Sequence, residues 1–507
     1  MPIDWSFYIC NFVSDIGEDG GFFQRISTDY GRMYFAIAIE AGLLLGALYL
    51  VTRRLWLSIG AHITWNFTQS GIFSGSVSGA FEQPGLFKAE LSAAPVQVEL
   101  LPGQPTTFWA YNASIPGPLI EVNEGDRVEV RFINRLSQPS TVHWHGLPVP
   151  PEQDGNPHDP VPPGGERTYS FNLPKGSAGT YWYHPHPHGH TAEQAFRGLA
   201  APFIVRASDD PLSGISERHL LLSDLKLNAD GSIPDNDAND WMNGREGQFV
   251  LINGQHQPTL ELRGPERWRL WNACSARYLK LNLGGHSFSL VGSDGGLLEQ
   301  PLAMAEILLA PAERIEIIVQ PGSEPRQFAL TAEIYDRNKM GMVAAEQVIT
   351  LAHVSLPAGQ PVSLPAKLRS IADLGPASAH KRVVFSENMR MDNGEHQMDF
   401  LVNGKSFDMQ RVDLTSKLGE VELWELVNDS HMDHPFHIHG CQFQVIEHEL
   451  NGVKTPAPYR AWKDTINLRP RETIRIKMAQ PFKGLRMFHC HILEHENQGM
   501  MGILNVV

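Results

Sequence analysis

The sequence predicts an all-β protein: three tandem β-sandwich domains behind a short apolar N-terminal segment. From about Leu86 onward, short β-branched and aromatic runs (RVEVRFIN, RTYSFNL, GTYWYH, APFIVR) alternate with Pro, Gly, Asn and Asp turns. That is the pattern of sandwich strands, and helical periodicity of useful length is absent. A weak internal repeat organises the strands. Asn112, Ile133-Asn134 and His143-Trp144-His145-Gly146 are echoed by Asn253-Gly254, Trp271-Asn272 and Gly285-His286, and again by Asn403-Gly404, Val427-Asn428 and His437-Ile438-His439-Gly440. Copies roughly 140–150 residues apart suit tandem domains and are far too long for solenoid units.

The expected domains are 86–210, 211–360 and 378–507, with linkers near 208–218 (Asp-Asp-Pro, Ser-Gly) and 355–379 (rich in Pro, Ser and Ala). The middle copy keeps only His286 where the outer two carry His-x-His, so its expected role is to space them. At 507 residues the chain can bury several cores. A formal charge of −15 and the lack of any basic run exclude nucleic acid as a partner. Cys10, Cys274, Cys441 and Cys490 show no paired spacing, so no disulfide framework is implied and a thiolate ligand is available.

Residues 1–85 read differently. Residues 33–51 (MYFAIAIEAGLLLGALYLV) are long enough to span a bilayer as a helix despite Glu40, and a weaker run covers 55–73. A buried hairpin in a soluble domain is the competing reading. If both runs span, Arg53 and Arg54 lie on the cytoplasmic side and the rest of the chain faces the periplasm or exterior. No signal peptide with a basic start and a cleavage site precedes the runs. Residues 42–75 resemble the last two helices of CAAX-protease-like intramembrane metalloproteases, including the His62-x-x-x-Asn66 element. That family's paired glutamates and second histidine motif have no counterpart upstream, so the segment is expected to be an anchor or remnant and not a protease.

The chemistry is concentrated in four His-x-His pairs: His143/His145, His184/His186, His437/His439 and His489/His491. On a strand, residues i and i+2 share a face, so each pair presents two imidazoles together. One pair is unremarkable, but four pairs divided between two copies of one domain point to a multi-metal site. Cys490 lies between His489 and His491 and must face the other side of the strand, toward a different site. With His495, Met500 and a second histidine, for which His434 is the candidate, it forms the His2Cys set with a weak axial Met of a blue-copper centre. Its chain neighbours His489 and His491 then make the backbone a short electron path into the histidine cluster.

The motifs HWHG at His143, WYHPH at 182–186, HPFHIHG at His434 and HCHILEHENQGM at His489 resemble those of bacterial multicopper oxidases of the copper-efflux and laccase-like groups, over roughly residues 88–507. The middle stretch LVGSDGGLLEQPLAMAEILLAPAERIEIIV resembles them too. The resemblance implies cupredoxin-like Greek-key sandwiches and four copper ions. His434, Cys490, His495 and Met500 would hold the type 1 copper, and His143 and His437 the type 2 ion. His145, His184 and His491 would hold one type 3 ion, and His186, His439 and His489 the other. It implies one-electron oxidation of phenols, aromatic amines or metal ions such as Cu(I), coupled to reduction of O2 to water. Glu496 and Asp154 match the positions that handle protons in that family, although Asp154-Gly155 is also ordinary turn chemistry.

Other residues fit secondary roles. His188 and His190 suit hydrogen bonding around the cluster, and Cys441 suits a buried apolar position. Met389, Met391, Met398 and Met409 are a scatter that could bind Cu(I), though core packing or chance placement fits it better. The long methionine-rich insertion of dedicated cuprous oxidases is not evident before His434, which tilts the donor toward a broad laccase-like range. A non-enzymatic copper-binding scaffold at the membrane is the alternative, which the complete ligand set opposes. A copper nitrite reductase would not need the His-Cys-His link.

Overall fold

Strands form where the alternation places them. Along Arg127–Asn134, Val128, Val130, Phe132 and Asn134 are buried while the residues between them are exposed or half-buried, which makes one face of the strand apolar. The computed structural model describes residues 79–101, 104–341, 343, 345–392 and 395–507. The apolar runs at 33–51 and 55–73, and the helical anchor expected there, lie outside these residues. Among the described residues no helix is long and apolar enough to cross a membrane.

The strands sort into six sheets, two for each of three sandwiches. The first domain has a five-stranded sheet, containing Leu86–Leu101, Arg127–Asn134 and Glu166–Asn172. Its four-stranded sheet contains Ile120–Asn123, His143–His145, Gly179–His184 and Ala201–Arg206. The second pairs seven strands with five, and the third six with five. One pairing scheme recurs. Leu86–Leu101 runs parallel to Arg127–Asn134, which is antiparallel to Glu166–Asn172. Ser216–Leu225, Glu266–Asn272 and Arg314–Val319 repeat it, as do Ala379–Asp392, Val421–Asp429 and Glu472–Ala479. A parallel pair of non-consecutive strands requires the chain to cross between sheets, as in a Greek-key sandwich.

The repeated asparagines have physical reasons. Asn112, Asn253 and Asn403 have positive φ (51°, 49° and 51°), which Asn tolerates better than most residues. Their Oδ1 atoms accept from Ser92, Leu221 and Val384 amides at 2.7, 2.9 and 2.9 Å, tying each turn to its domain's first strand. Asn134, Asn272 and Asn428 are buried, and each Nδ2 donates to one carbonyl of the following loop (Gln138, Arg277, Met432) and one from farther along the chain (Val161, Leu309, Leu468) at 2.8–2.9 Å. In the outer domains that loop leads directly into the first His-x-His strand.

Ahead of residue 86, Gly79–Gln83 folds back on Leu86–Leu101 through a hairpin at Pro84-Gly85, where Gly85 has φ +81°.

In the first domain His143–His145 pairs with Gly179–His184, setting His143 opposite His184. In the third, His434–Ile438 lies between Gly484–Cys490 and Thr465–Leu468, setting His437 opposite both His489 and Thr465. An apolar seam containing Trp182, Leu221, Trp271 and Ala312 joins the first and second domains.

Candidate metal centre

His434, Cys490 and His495 have donor atoms within 4.8 Å of one another and are fully buried. His434 Nδ1 is 3.4 Å from both Cys490 Sγ and His495 Nδ1. The far nitrogens fix the tautomers. His434 Nε2–H donates to Glu387 Oε1 at 3.1 Å, and His495 Nε2–H donates to the Met242 carbonyl, from the second domain, at 3.2 Å. Both Nδ1 lone pairs therefore face the sulfur. The Ile492 amide donates to Cys490 Sγ at 3.3 Å. Burial pushes the Cys490 thiol well up, so an ion binding there must displace a proton. Met500 is buried in the same apolar cluster as Cys490, and its carbonyl accepts from the Cys490 amide at 3.0 Å.

The four His-x-His pairs converge at the seam between the first and third domains, and all eight rings are buried. His143 stacks on His439 (centroids 3.8 Å apart) and His145 on His437 (3.7 Å), each pair crossing the seam. His489 Nε2 is 3.1 Å from both His186 Nε2 and His439 Nε2, and His145 Nδ1 is 3.3 Å from His184 Nε2. Far-side bonds again set the tautomers. His143, His184, His437 and His489 donate through Nδ1 to the carbonyls of Asp154, Pro185, Asp464 and Cys490 at 2.9–3.0 Å. His145 is turned the other way, donating through Nε2 to Asp464 Oδ1 at 3.1 Å.

These atoms fit metal ions. Burial holds His145, His184, His186, His437, His439, His489 and His491 below their ordinary protonation range. These rings are therefore neutral, and where a far-side bond fixes the tautomer, as at His184, His437, His439 and His489, the lone pair faces the cluster. His143 Nε2, His437 Nε2 and both ring nitrogens of His491 are buried without a hydrogen-bond partner. Each such atom costs about 1–3 kcal/mol unless something coordinates it. Imidazole and thiolate donors suit copper, and the thioether at Met500 argues against zinc.

Of the expected acids, Asp154 Oδ2 accepts from His439 Nδ1 at 2.8 Å while its carbonyl accepts from His143, so it orients one ring on each of two strands. Glu496, on the helix Leu493–Asn497, is fully buried, with Thr191 as a polar neighbour. Burial raises its carboxyl to about 8.

The sequence reading missed Asp464, Glu387 and the Met242 carbonyl. Asp464 is buried against His145, His437 and the Arg314 guanidinium. Burial favours its neutral form, but Arg314 outweighs that and holds the carboxyl well below the ordinary range. A lone Asp in WKDT carries no spacing signal, and Glu387 lies 47 residues from His434.

The remaining candidates have ordinary surroundings. His188 is exposed against Phe407, and His190 is the N-cap residue of the helix Thr191–Phe196. Cys441 is buried beside Met478. Met389 and Met391 are 56% and 69% exposed, which removes core packing as their role.

Residues 92–210, 221–354 and 381–507 each match a multicopper oxidase family model, and residues 1–48 match a family of unknown function. Multicopper oxidase mco of Staphylococcus haemolyticus is 34% identical over 411 residues, covering 78% of this chain and 83% of that one. Cell division protein FtsP of Photorhabdus laumondii is 31% identical over 420 residues, covering 79% and 85%. Among solved structures, a multicopper oxidase from Campylobacter jejuni, a metallo-oxidase, aligns with a TM-score of 0.82 at 46% identity. It covers 85% of this chain and 94% of that one.

The geometry at Cys490 predicts a copper-loaded protein with an intense visible thiolate-to-copper band. Cys490→Ser should abolish that band in the absorption spectrum. A fully loaded wild type that is colourless would refute the blue-site assignment.

Proposed function

The chain belongs to the multicopper oxidase family, copper-dependent oxidoreductases with four copper ions, and from that premise we propose how its residues divide the work. His434, Cys490 and His495, with the Met500 thioether, would hold the type 1 copper. His143 and His437 would hold the type 2 ion. His145, His184 and His491 would hold one type 3 ion, and His186, His439 and His489 the other. When bound, the ions supply one-electron oxidation of the donor at the blue site and four-electron reduction of O2 to water at the cluster. The complete ligand set at two centres joined by His489-Cys490-His491 supports this over a non-enzymatic copper-binding scaffold, which has no need of an electron path between its sites.

Glu496 holds a proton in a dry site beside the cluster ligands, and Asp154 keeps two of those ligands oriented. A buried acid that stays neutral near pH 7 is suited to proton donation.

The donor we propose is a soft metal ion such as Cu(I) rather than a bulky phenol. The observation that carries this is the burial of both blue-site rings: His434 and His495 are 0% exposed, one capped by Glu387 and the other by the Met242 carbonyl and a stacked Phe400 (centroids 3.8 Å apart). What reaches solvent is His431, whose side chain is 55% exposed and whose Nδ1 is 2.7 Å from Glu387 Oε2. Beyond Glu387 the same strand face continues as Met389 and Met391, with Met398 paired across the hairpin from Met389. Thioethers, an imidazole and a carboxylate suit a soft cation. The Campylobacter jejuni relative is itself a metallo-oxidase.

For residues 1–78 we propose membrane attachment through 33–73, with the oxidase domains facing the periplasm or exterior. The likeness of 42–75 to protease helices supports an anchor alone.

Three outcomes are expected. Steady-state kinetics should show faster turnover of Cu(I) than of a phenol, and His431→Ala should cut kcat/KM for Cu(I) by about 10-fold with the blue band intact; faster phenol turnover, unaffected by the substitution, would sink the donor assignment. Glu496→Gln should keep the blue band and its anaerobic reduction by donor while slowing reoxidation by O2 about 10²–10⁴-fold. Unchanged reoxidation with impaired donor oxidation would move Glu496 to the donor side. The full chain should sediment with membranes and be cleaved by protease added to spheroplasts; unprocessed recovery from cytosol would remove the anchor.

A further inference from the structure

The copper-free middle domain reaches the trinuclear site through one buried salt bridge. Arg314 is 0% exposed and contacts all three domains. Its Nε donates to the Thr180 carbonyl at 2.8 Å, on the first-domain strand that carries His184. Its Nη1 and Nη2 donate to Asp464 Oδ1 and Oδ2 of the third domain at 2.7 and 2.5 Å, a bidentate fork. Asp294 completes the grip from the middle domain. Its Oδ2 accepts the backbone amides of Asp464 and Thr465 at 3.3 and 3.4 Å and pairs with Lys463 at 3.1 Å.

The clamped residue faces one ring from each copper-bearing domain. Asp464 Oδ1 accepts from His145 Nε2 at 3.1 Å, and its carbonyl accepts from His437 Nδ1 at 2.9 Å. The first bond explains why His145 turns Nδ1, rather than Nε2, toward the other imidazoles. The glycine after His145 belongs to the same arrangement. Gly146 has φ +85°, and a Cβ there would collide with Asp464 Oδ2 and lie 2.7 Å from Arg314 Nη2. With both oxygens taken by the guanidinium, Asp464 is poorly placed to be a ligand itself.

We propose that Arg314 and Asp294 of the middle domain are positioning residues for the trinuclear copper site. They act through Asp464, which fixes the ring orientation of His145 and the placement of His437. The spacer domain thereby sets the geometry of a metal site to which it contributes no ligand. This rests on the ligand assignment above, and a wild-type protein that failed to take up cluster copper would defeat that assignment before the variants were compared.

The test uses the full chain reconstituted with copper, as wild type, Asp464→Asn, Arg314→Met and Arg314→Lys. Copper per chain after dialysis, the type 2 signal in electron paramagnetic resonance and the visible blue band are read together. Asp464→Asn and Arg314→Met should bind cluster copper about 10–100-fold more weakly, the range for loss of a partner to a metal-ligating histidine. Their type 2 spectrum should be altered and the blue band should match wild type. Arg314→Lys, which keeps charge without the fork, should fall between them and wild type. The proposal is overturned if Asp464→Asn keeps wild-type copper content and type 2 spectrum. It is also overturned if that variant loses the blue band in step with cluster copper, which would mark a general structural role. Asp464→Asn keeps the side chain's size, so it decides the matter even if Arg314→Met does not fold.

Discussion

Buried imidazoles whose lone pairs face one another across the seam between the first and third domains are the constraint around which this protein is arranged. Without an ion, His143 Nε2, His437 Nε2 and the ring nitrogens of His491 are desolvated polar atoms without a hydrogen-bond partner. Protonation does not relieve His437 and His491, because burial opposes the charged form and each new charge would face neighbouring rings. Coordination is the remaining way to satisfy them, so the free energy of metal binding becomes part of the free energy holding the domains together. The stacked pairs His143/His439 and His145/His437 make this a seam property rather than a property of either sandwich.

Much of this was legible because it is local in sequence. A His-x-His pair reports that two rings share a strand face, and a cysteine between two such histidines reports a second site behind the first. The repeat could be read because its asparagines do backbone work: Asn112, Asn253 and Asn403 sit at left-handed turns, and Asn134, Asn272 and Asn428 staple the following loop. What remained hidden comes from elsewhere in the fold. Glu387 meets His434 because two strands of the third domain pack together, and Arg314 meets Asp464 across 150 residues and a domain boundary. Single charged residues carry no periodicity, so nothing in the sequence distinguishes them from solvated surface. The exposure of Met389 and Met391 was hidden for a related reason: composition does not tell whether a hairpin ends inside the core or beyond it.

The middle domain does more than hold its neighbours apart. Along its seam with the first domain, Arg267 and Arg269 converge on buried Glu316, which also accepts from Thr180. Buried ion pairs add little net stability, since desolvation offsets most of the attraction, but a misplaced partner leaves a bare charge that costs several kcal/mol. Such groups therefore penalise wrong docking far more than they reward right docking. A site needing eight rings at fixed mutual angles benefits from that asymmetry, and an apolar seam such as Trp182 against Trp271 supplies adhesion without it.

The same logic applies at the blue site. Two histidines presenting Nδ1 to the sulfur must have their Nε2–H groups satisfied elsewhere, and here the partners are internal, a carboxylate and a peptide carbonyl. On the proposed donor reading, covering the rings removes the aromatic edge on which a flat organic donor would rest, and access moves outward to what touches Glu387: the His431 imidazole and the thioethers of an exposed hairpin. The bonds that orient the ligands would then also restrict the donor, since the carboxylate that fixes the tautomer of His434 pairs on its other side with the exposed His431.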